Sequence, residues 1–211
     1  METLPLTMAE IANSKDPFFL DWLDLYETSF PSNERMLVSD ILRTLDEDSN
    51  RDERSSTHFL VLLDENKKCA GMMLYYTKES DKIAWLWYMA IKPTVQSQGF
   101  GSHLYHELVE RLDLSGYKAL FLEVEIPDET NSIQAERRIR FYEKQGACLL
   151  KDANYVQDIG WHAQPTPLFL MMQPFQPLDD KQAFDLAKKL FGGALKKQGA
   201  VGKVHPDSPR K

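Results

Sequence analysis

From Ile83 to Gly101 the chain reads IAWLWYMAIKPTVQSQGFG. The first nine residues are apolar, rich in aromatic and β-branched side chains, and of strand length, which predicts a central strand. Pro93 stops it, and the loop Lys92 to Gln98 delivers Gly99 and Gly101 where a helical period begins, with Leu104, Leu108, Val109 and Leu112 on one side. Glycine has no side chain to fend off a ligand. The first turn of a helix carries unpaired N–H groups and a partial positive charge. A strand that hands over to such a turn is a candidate site for a diphosphate. It is neither of two commoner phosphate motifs. No Lys follows Gly101, as a Walker loop requires, and Leu104 stands where a dinucleotide fingerprint has its third glycine.

The flanking patterns predict the rest. Pro17 opens a helix whose apolar residues Phe18, Phe19, Trp22, Leu23, Leu25 and Tyr26 recur at helical spacing, and Phe30-Pro31 ends it. A second amphipathic helix is expected from Ser32 to Leu45, with Glu34 in its first turn, followed by a loop over 46–57. His58 to Leu63 and Cys69 to Thr77 read as a hairpin. Gly99 to Leu114 is a helix closed by Ser115-Gly116, Ala119 to Ile126 a strand, and Gln134 to Gln145 a helix ended by Gly146. Ala147 to Leu150 and Leu168 to Gln173 read as a last strand pair, joined by a long loop that contains Trp161, His162, Pro165 and Pro167. A helix is expected over 178–198, weakened by Gly192-Gly193, and a disordered basic tail over 199–211. Helices and strands in that order predict an α/β (α+β) fold: a mixed sheet with helices on its faces rather than a regular βαβ alternation.

Composition narrows the function. A net charge of −7 argues against nucleic acid as the main partner. From Leu178 onward eight Lys/Arg stand against four Asp/Glu, so residues 1–177 carry −11 and residues 178–211 carry +4. An acidic body suits a cationic amine, although solubility alone also accounts for it. No run reaches the roughly 20 apolar residues of a membrane span. The N-terminus lacks the pattern of a signal peptide, and the two cysteines, Cys69 and Cys148, have no metal-ligand spacing; together these predict a cytoplasmic protein with free thiols. His103 and His106 lie three apart on a helix but lack a third ligand, so no metal site is expected.

Gln96-Ser97-Gln98-Gly99-Phe100-Gly101 resembles the Q/R-x-x-G-x-G/A signature of the GNAT superfamily of acetyl-CoA-dependent N-acetyltransferases. Ala90-Ile91-Lys92-Pro93 matches the strand end before it, and Arg140 to Ala147 (RFYEKQGA) resembles the family's second signature, with a helical Tyr followed by Gly. The resemblance spans roughly residues 18–173. It implies a GNAT-type, mostly antiparallel sheet with one splayed parallel pair and helices on both faces. A GNAT domain over 1–177 with an appendage at 178–198 is the expected organisation. The resemblance further implies acetyl-CoA in the splay, held by the backbone of Met89, Ala90 and Ile91 and by Gln96, Ser97, Gln98, Gly99, Phe100, Gly101 and Ser102. Tyr142 would protonate the departing thiolate. The partners expected are acetyl-CoA and an amine acceptor of a small molecule or a protein. A homodimer is left open, and neither nucleic acid nor membrane is expected.

Two positions depart from the family pattern. Ala135 stands where many members carry Asn, with Asn131 as a nearby substitute, and Ala147 replaces the usual Phe. Glu123 and Glu125, two apart on a strand, share one face and are the candidate bases. The competing reading has one or both facing solvent or holding Arg137 or Arg138. Glu34 is a second candidate. Trp85 and Trp87 read as core. A non-catalytic acyl-CoA-binding module of the same fold is the alternative function.

Overall fold

The computed structural model describes residues 6–47, 55–150, 153–157 and 164–197. In chain order these form β1 (Thr7–Glu10), α1 (Phe19–Ser29), α2 (Val38–Glu47), β2 (Ser55–Leu63), β3 (Cys69–Lys78), β4 (Ile83–Ile91), α3 (Phe100–Leu114), β5 (Ala119–Glu125), α4 (Ser132–Lys144), β6 (Cys148–Leu149), β7 (Ala153–Gln157), β8 (Thr166–Pro174), α5 (Asp180–Phe191) and β9 (Leu195–Lys197). All the strands join one sheet in the order β1-β2-β3-β4-β5-β8-β7-β9, with β6 beside β8. Every pairing is antiparallel except that of β4 with β5.

Helices cover both faces because each strand alternates apolar residues toward two clusters. On β5, Leu120, Leu122 and Val124 pack with Leu104, Tyr105 and Leu108 of α3 and Tyr142 of α4. Ala119 and Phe121 point the other way, against Phe184, Ala187 and Phe191 of α5. The same side of β2 and β3 receives α1 and α2 through Phe19, Trp22, Leu25, Tyr26, Ile41 and Leu45. Each large side chain so buried contributes about 1.5–3 kcal/mol. Helix α1 stops at Phe30 (φ −123°, ψ 138°), since the residue before a proline is driven to extended geometry.

The pairing of β4 and β5 is short. It runs from Ile83↔Ala119 to Leu86↔Leu122 and ends there. On the other edge of β4 the register skips at the same level: Tyr75 pairs with Leu86 and Leu74 with Tyr88, leaving Trp87 as an extra residue. A bulge of this kind bends the strand and sharpens its twist. Beyond it, Tyr88 to Ile91 stays paired with β3 and parts from β5. Gly71 of β3 accommodates the bent strand, because a Cβ there would lie 2.7 Å from Ile91 Cδ1 and 3.1 Å from the Ala90 carbonyl oxygen.

Three expectations change. The second helix begins at Val38 rather than near Ser32, so Glu34 lies in the turn between α1 and α2. The loop expected after Leu150 contains β7, while Trp161 and His162 lie outside the described residues. The last helix ends at Phe191, where Gly192 takes φ 50°, and the chain returns as β9 along β7 instead of continuing helically to 198. A capping box of Asp179 and Gln182 starts that helix. The expected tail, 199–211, lies outside the described residues.

Gly71→Ala is expected to destabilise the protein by about 1–3 kcal/mol through overpacking. Adding Ile91→Val, which removes the clashing Cδ1, should recover part of the loss in thermal melts. Equal melting temperatures for wild type and Gly71→Ala would contradict the close approach.

Candidate active site

The turn before α3 is open. Ser97 (φ 63°) and Gly99 (φ 88°) both take left-handed conformations, which for Gly99 carries no steric cost. Among the described residues, no backbone N–H from Ser97 to Ser102 donates to a protein acceptor; the first N–H of the helix to do so is that of His103, to Gly99 O at 3.0 Å. Six N–H groups along one bend are thus left without a protein acceptor among the described residues. Gln96 braces the bend by donating from Nε2 to Ile91 O at 2.9 Å, and Gln145 Nε2 donates to Ser102 Oγ at 3.0 Å. A Cβ on Gly101 would approach Ile91 and Phe141 no closer than 3.6 Å, so this glycine leaves room rather than relieving a clash.

A groove of about 710 Å³ leads from this turn along the parted edge of β4. Met89, Ile91, Gln96, Ser97, Gly99, Gly101 and Ser102 line it together with Gln134, Arg137, Arg138, Phe141 and Tyr142. Of the other residues expected here, Ala90 faces the α1 side, Phe100 is buried in the α3 core, and Gln98 is exposed. The free N–H groups and the two arginines suit a diphosphate. The unpaired edge of β4 suits an extended amide chain.

A second cleft, of about 190 Å³, occupies the splay itself. Residues from both faces of the sheet meet in it: Tyr142 and Arg138 of α4 from one side, Phe30, Glu34, Trp87, Tyr88 and Glu123 from the other. Tyr142 and Arg138 line both cavities. Tyr142 is buried against Tyr105 and Phe141, at ring distances of 5.2 and 5.0 Å. Burial pushes its hydroxyl up to about 12, with Arg138 pulling the other way, so it keeps its proton at neutral pH.

Glu123 and Glu125 do share a face of β5, and their surroundings separate them. Glu125 is ion-paired with Arg138. Glu123 keeps part of its surface on the cleft and is enclosed by protein elsewhere; burial pushes its carboxyl up to about 7, held back by hydrogen bonds from Tyr155 and Gln157. Tyr155 donates its hydroxyl to Oε1, and Gln157 donates from Nε2 to Oε2 at 2.6 Å. Glu34 also lines the cleft; burial and then the charge of Glu125 raise its pKa, with Arg138 opposing. The turn that carries it is fixed by Tyr88, whose hydroxyl donates to Glu34 O at 3.0 Å and accepts from Met36 N at 3.2 Å. Asn131 is spent within its own loop, accepting from Asp128 N at 2.9 Å and donating to Ile126 O at 3.4 Å, and Ala135 is fully buried.

Tyr155, Gln157 and the cleft-lining role of Trp87 were not foreseen. Their signal was faint. Tyr155 and Gln157 are spaced two apart, as Glu123 and Glu125 are, but on a strand too short to stand out. Trp87, expected in the core, is half-buried because the bulge turns it beside Tyr88 onto the cleft side.

Residues 19–147 match the model of the Acetyltransferase (GNAT) family. The chain belongs to that family, whose members use an acyl-CoA as cosubstrate. No curated protein matches it. Among solved structures, a protein from Bacteroides thetaiotaomicron described as a GNAT-family acetyltransferase is 22% identical, covers 88% of this chain and 98% of its own, and superposes with a TM-score of 0.68. The ribosomal-protein-S18-alanine N-acetyltransferase of Escherichia coli is 18% identical over 83% of this chain and 97% of its own (TM-score 0.53). The spermidine N-acetyltransferase of Vibrio cholerae is 16% identical over 81% and 94% (TM-score 0.57). At these identities the likeness shows the fold alone.

Tyr155→Phe is expected to raise the pKa of Glu123 further, since it removes a donor that favours the carboxylate. Direct titration of the carboxyl by NMR checks this; an unchanged or lowered value would contradict it. Glu123→Gln tests the same burial through stability. The native carboxyl holds its proton to higher pH than an unfolded one, so wild type loses stability as pH climbs from the ordinary Glu value toward 7. The substitution should therefore raise the melting temperature more at pH 8 than at pH 5.

Proposed function

We propose that the protein transfers an acetyl group from acetyl-CoA to the amine of an acceptor bound in the splay. The observation that carries this reading is the junction at Tyr142. One cavity arrives there from the bend of unpaired N–H groups, and the other from Glu123. In this reading the backbone from Ser97 to Ser102, with Arg137, holds the diphosphate, and Met89 and Ile91 hold the extended arm. Bound acetyl-CoA supplies a thioester whose carbonyl carbon the amine attacks.

The chain's own residues then have three tasks. Glu123 accepts a proton from the acceptor's ammonium, which frees the nitrogen lone pair; a base poised near 7 is suited to that at neutral pH. A main-chain N–H of Met89 or Ile91 faces the oxygen on which negative charge develops. Tyr142 donates its phenolic proton to the departing sulfur as the C–S bond breaks, and the resulting phenolate takes the second proton from the acylated nitrogen. The products are an amide and a free thiol, and Glu123 gives its proton up to solvent. Glu125, held by Arg138, keeps that arginine at the mouth of both cavities. Glu34 adds negative charge beside the acceptor.

An amine panel with thiol detection tests the reading, which expects acetyl-CoA-dependent release of thiol with at least one amine. Calorimetric binding of CoA without release across the panel would favour the non-catalytic module instead. Gly99→Glu should abolish CoA binding, because it sets a carboxylate at the bend and a side chain in a left-handed conformation; unchanged affinity would contradict the site. Tyr142→Phe should lower kcat by about 100- to 1000-fold, within the range for a lost acid catalyst or electrostatic donor, while leaving the KM for acetyl-CoA within a few-fold. Full activity would remove Tyr142 from the mechanism.

A further inference from the structure

Beside Glu123 the splay deepens into a small pocket of about 120 Å³, lined by Met36, Trp85, Trp87, Tyr88, Glu123, Tyr155 and Gln157. It shares Trp87, Tyr88, Glu123 and Gln157 with the larger cleft, so the two border one another at the candidate base. Four of its seven residues are aromatic, one is a thioether and one an amide. Among the described residues Glu123 is its only charged group.

The walls are stiff. Trp85 meets Trp87 edge-on at 5.2 Å and Phe191 at 4.9 Å, Trp87 stacks on Tyr76 at 5.9 Å, and Tyr155 packs on Phe191 at 5.0 Å. Met36 is held through its main chain by Tyr88 and by Tyr26, whose hydroxyl donates to Met36 O at 3.3 Å. The indole Nε1 atoms of Trp85 and Trp87 are both shut off from water without a partner among the described residues. Native structures rarely leave such donors orphaned, and both belong to walls of this one pocket.

Size and chemistry limit what fits. An engineered apolar cavity of about 150 Å³ holds a benzene ring, so this pocket of about 120 Å³ is on the scale of one ring. Its single carboxylate serves one ammonium. A second cation inside this pocket would have to leave water for walls that offer no further carboxylate among the described residues. A peptide main chain would bring several N–H groups that these walls, whose unpartnered polar atoms are both donors, cannot accept from apart from Glu123.

We propose that this pocket is the subsite for the acceptor's side group, and that the acceptor is a primary amine borne on a short linker by one compact apolar group the size of a single aromatic ring. The proposal rests on the acetyl-transfer reading and extends it to a substrate class. The amine lies at Glu123, facing Tyr142 across the cleft, and the ring lies against Trp87, Trp85 and Met36. Specificity then depends on Met36, which neither reacts nor touches the acyl-CoA groove.

The test compares kcat/KM for 2-phenylethylamine, 1,4-diaminobutane and a hexapeptide with a free N-terminus, with saturating acetyl-CoA and thiol detection. The proposal expects 2-phenylethylamine to be preferred by about tenfold or more, the scale on which a pocket distinguishes small apolar differences. Met36→Phe, which fills the pocket, should lower that preference. Met36→Ala, which enlarges it, should raise kcat/KM for the two-ring amine 1-naphthylmethylamine. A gain of that kind cannot come from a misfolded variant. A preference for the diamine or the peptide that neither variant shifts would overturn the pocket's role while leaving acetyl transfer intact. No thiol release with any of these amines, or with the wider amine panel, would overturn the acetyl-transfer reading and the subsite with it.

Discussion

The structure depends on one break in the sheet. A single extra residue, Trp87, bends β4 at the level where its parallel pairing with β5 stops. Parallel strands in a sheet ordinarily continue their hydrogen bonds to their ends, and an unpaired edge inside a protein leaves backbone donors and acceptors unsatisfied. Here the unpaired edge faces a cavity open to solvent, so water or an extended ligand can satisfy it. The cost of the break is thereby limited, and the interior of the sheet becomes a passage between its two faces.

That passage explains the distribution of chemistry. A strand alternates its side chains, so an intact sheet would keep Glu123 and Tyr142 on opposite sides of a closed wall. With β4 and β5 parted, the carboxylate from one face and the phenol from the other border the same cleft. The two groups have pKa values displaced by burial in ways that match different tasks. Glu123 moves toward neutrality, where it can take up a proton and release it; Tyr142 moves away from it, where it stays protonated until a stronger base appears. Tyr155 and Gln157 temper the first shift by donating to the carboxylate, and they are themselves held by elements that follow the family's matched region. Tyr155 pairs with Leu195 of β9 and packs on Phe191 of α5. The C-terminal helix and strand are therefore part of the wall around the candidate base.

The sequence made much of this legible, for physical reasons that can be named. The bend was legible as a candidate diphosphate site because Gly99 and Gly101 follow a strand and open a helix, a pattern weak by itself since many helices begin after glycine, and the carboxylate pair because a spacing of two on a strand fixes a shared face. The family resemblance added the splay, Tyr142 and the cofactor. Neither source could show the bulge at Trp87, since an extra residue is defined only by the register of a partner strand. Strands β1, β7 and β9 escaped notice because four, five and three residues are too few for a period to emerge. Missing β7 meant missing Tyr155 and Gln157, and with them the reason Glu123 and Glu125 differ. In sequence Gly192 predicts only a weakened helix, whereas its positive φ ends that helix and turns the chain back along β7.

A crystal structure with CoA bound measures the central claim most directly. The account predicts the diphosphate at the N–H groups between Ser97 and Ser102, the pantetheine arm against Met89 and Ile91 with β4 and β5 still parted, and the sulfur within hydrogen-bonding reach of the Tyr142 hydroxyl. CoA bound elsewhere on the molecule, or β4 and β5 paired along their full length with the cleft closed, would contradict it.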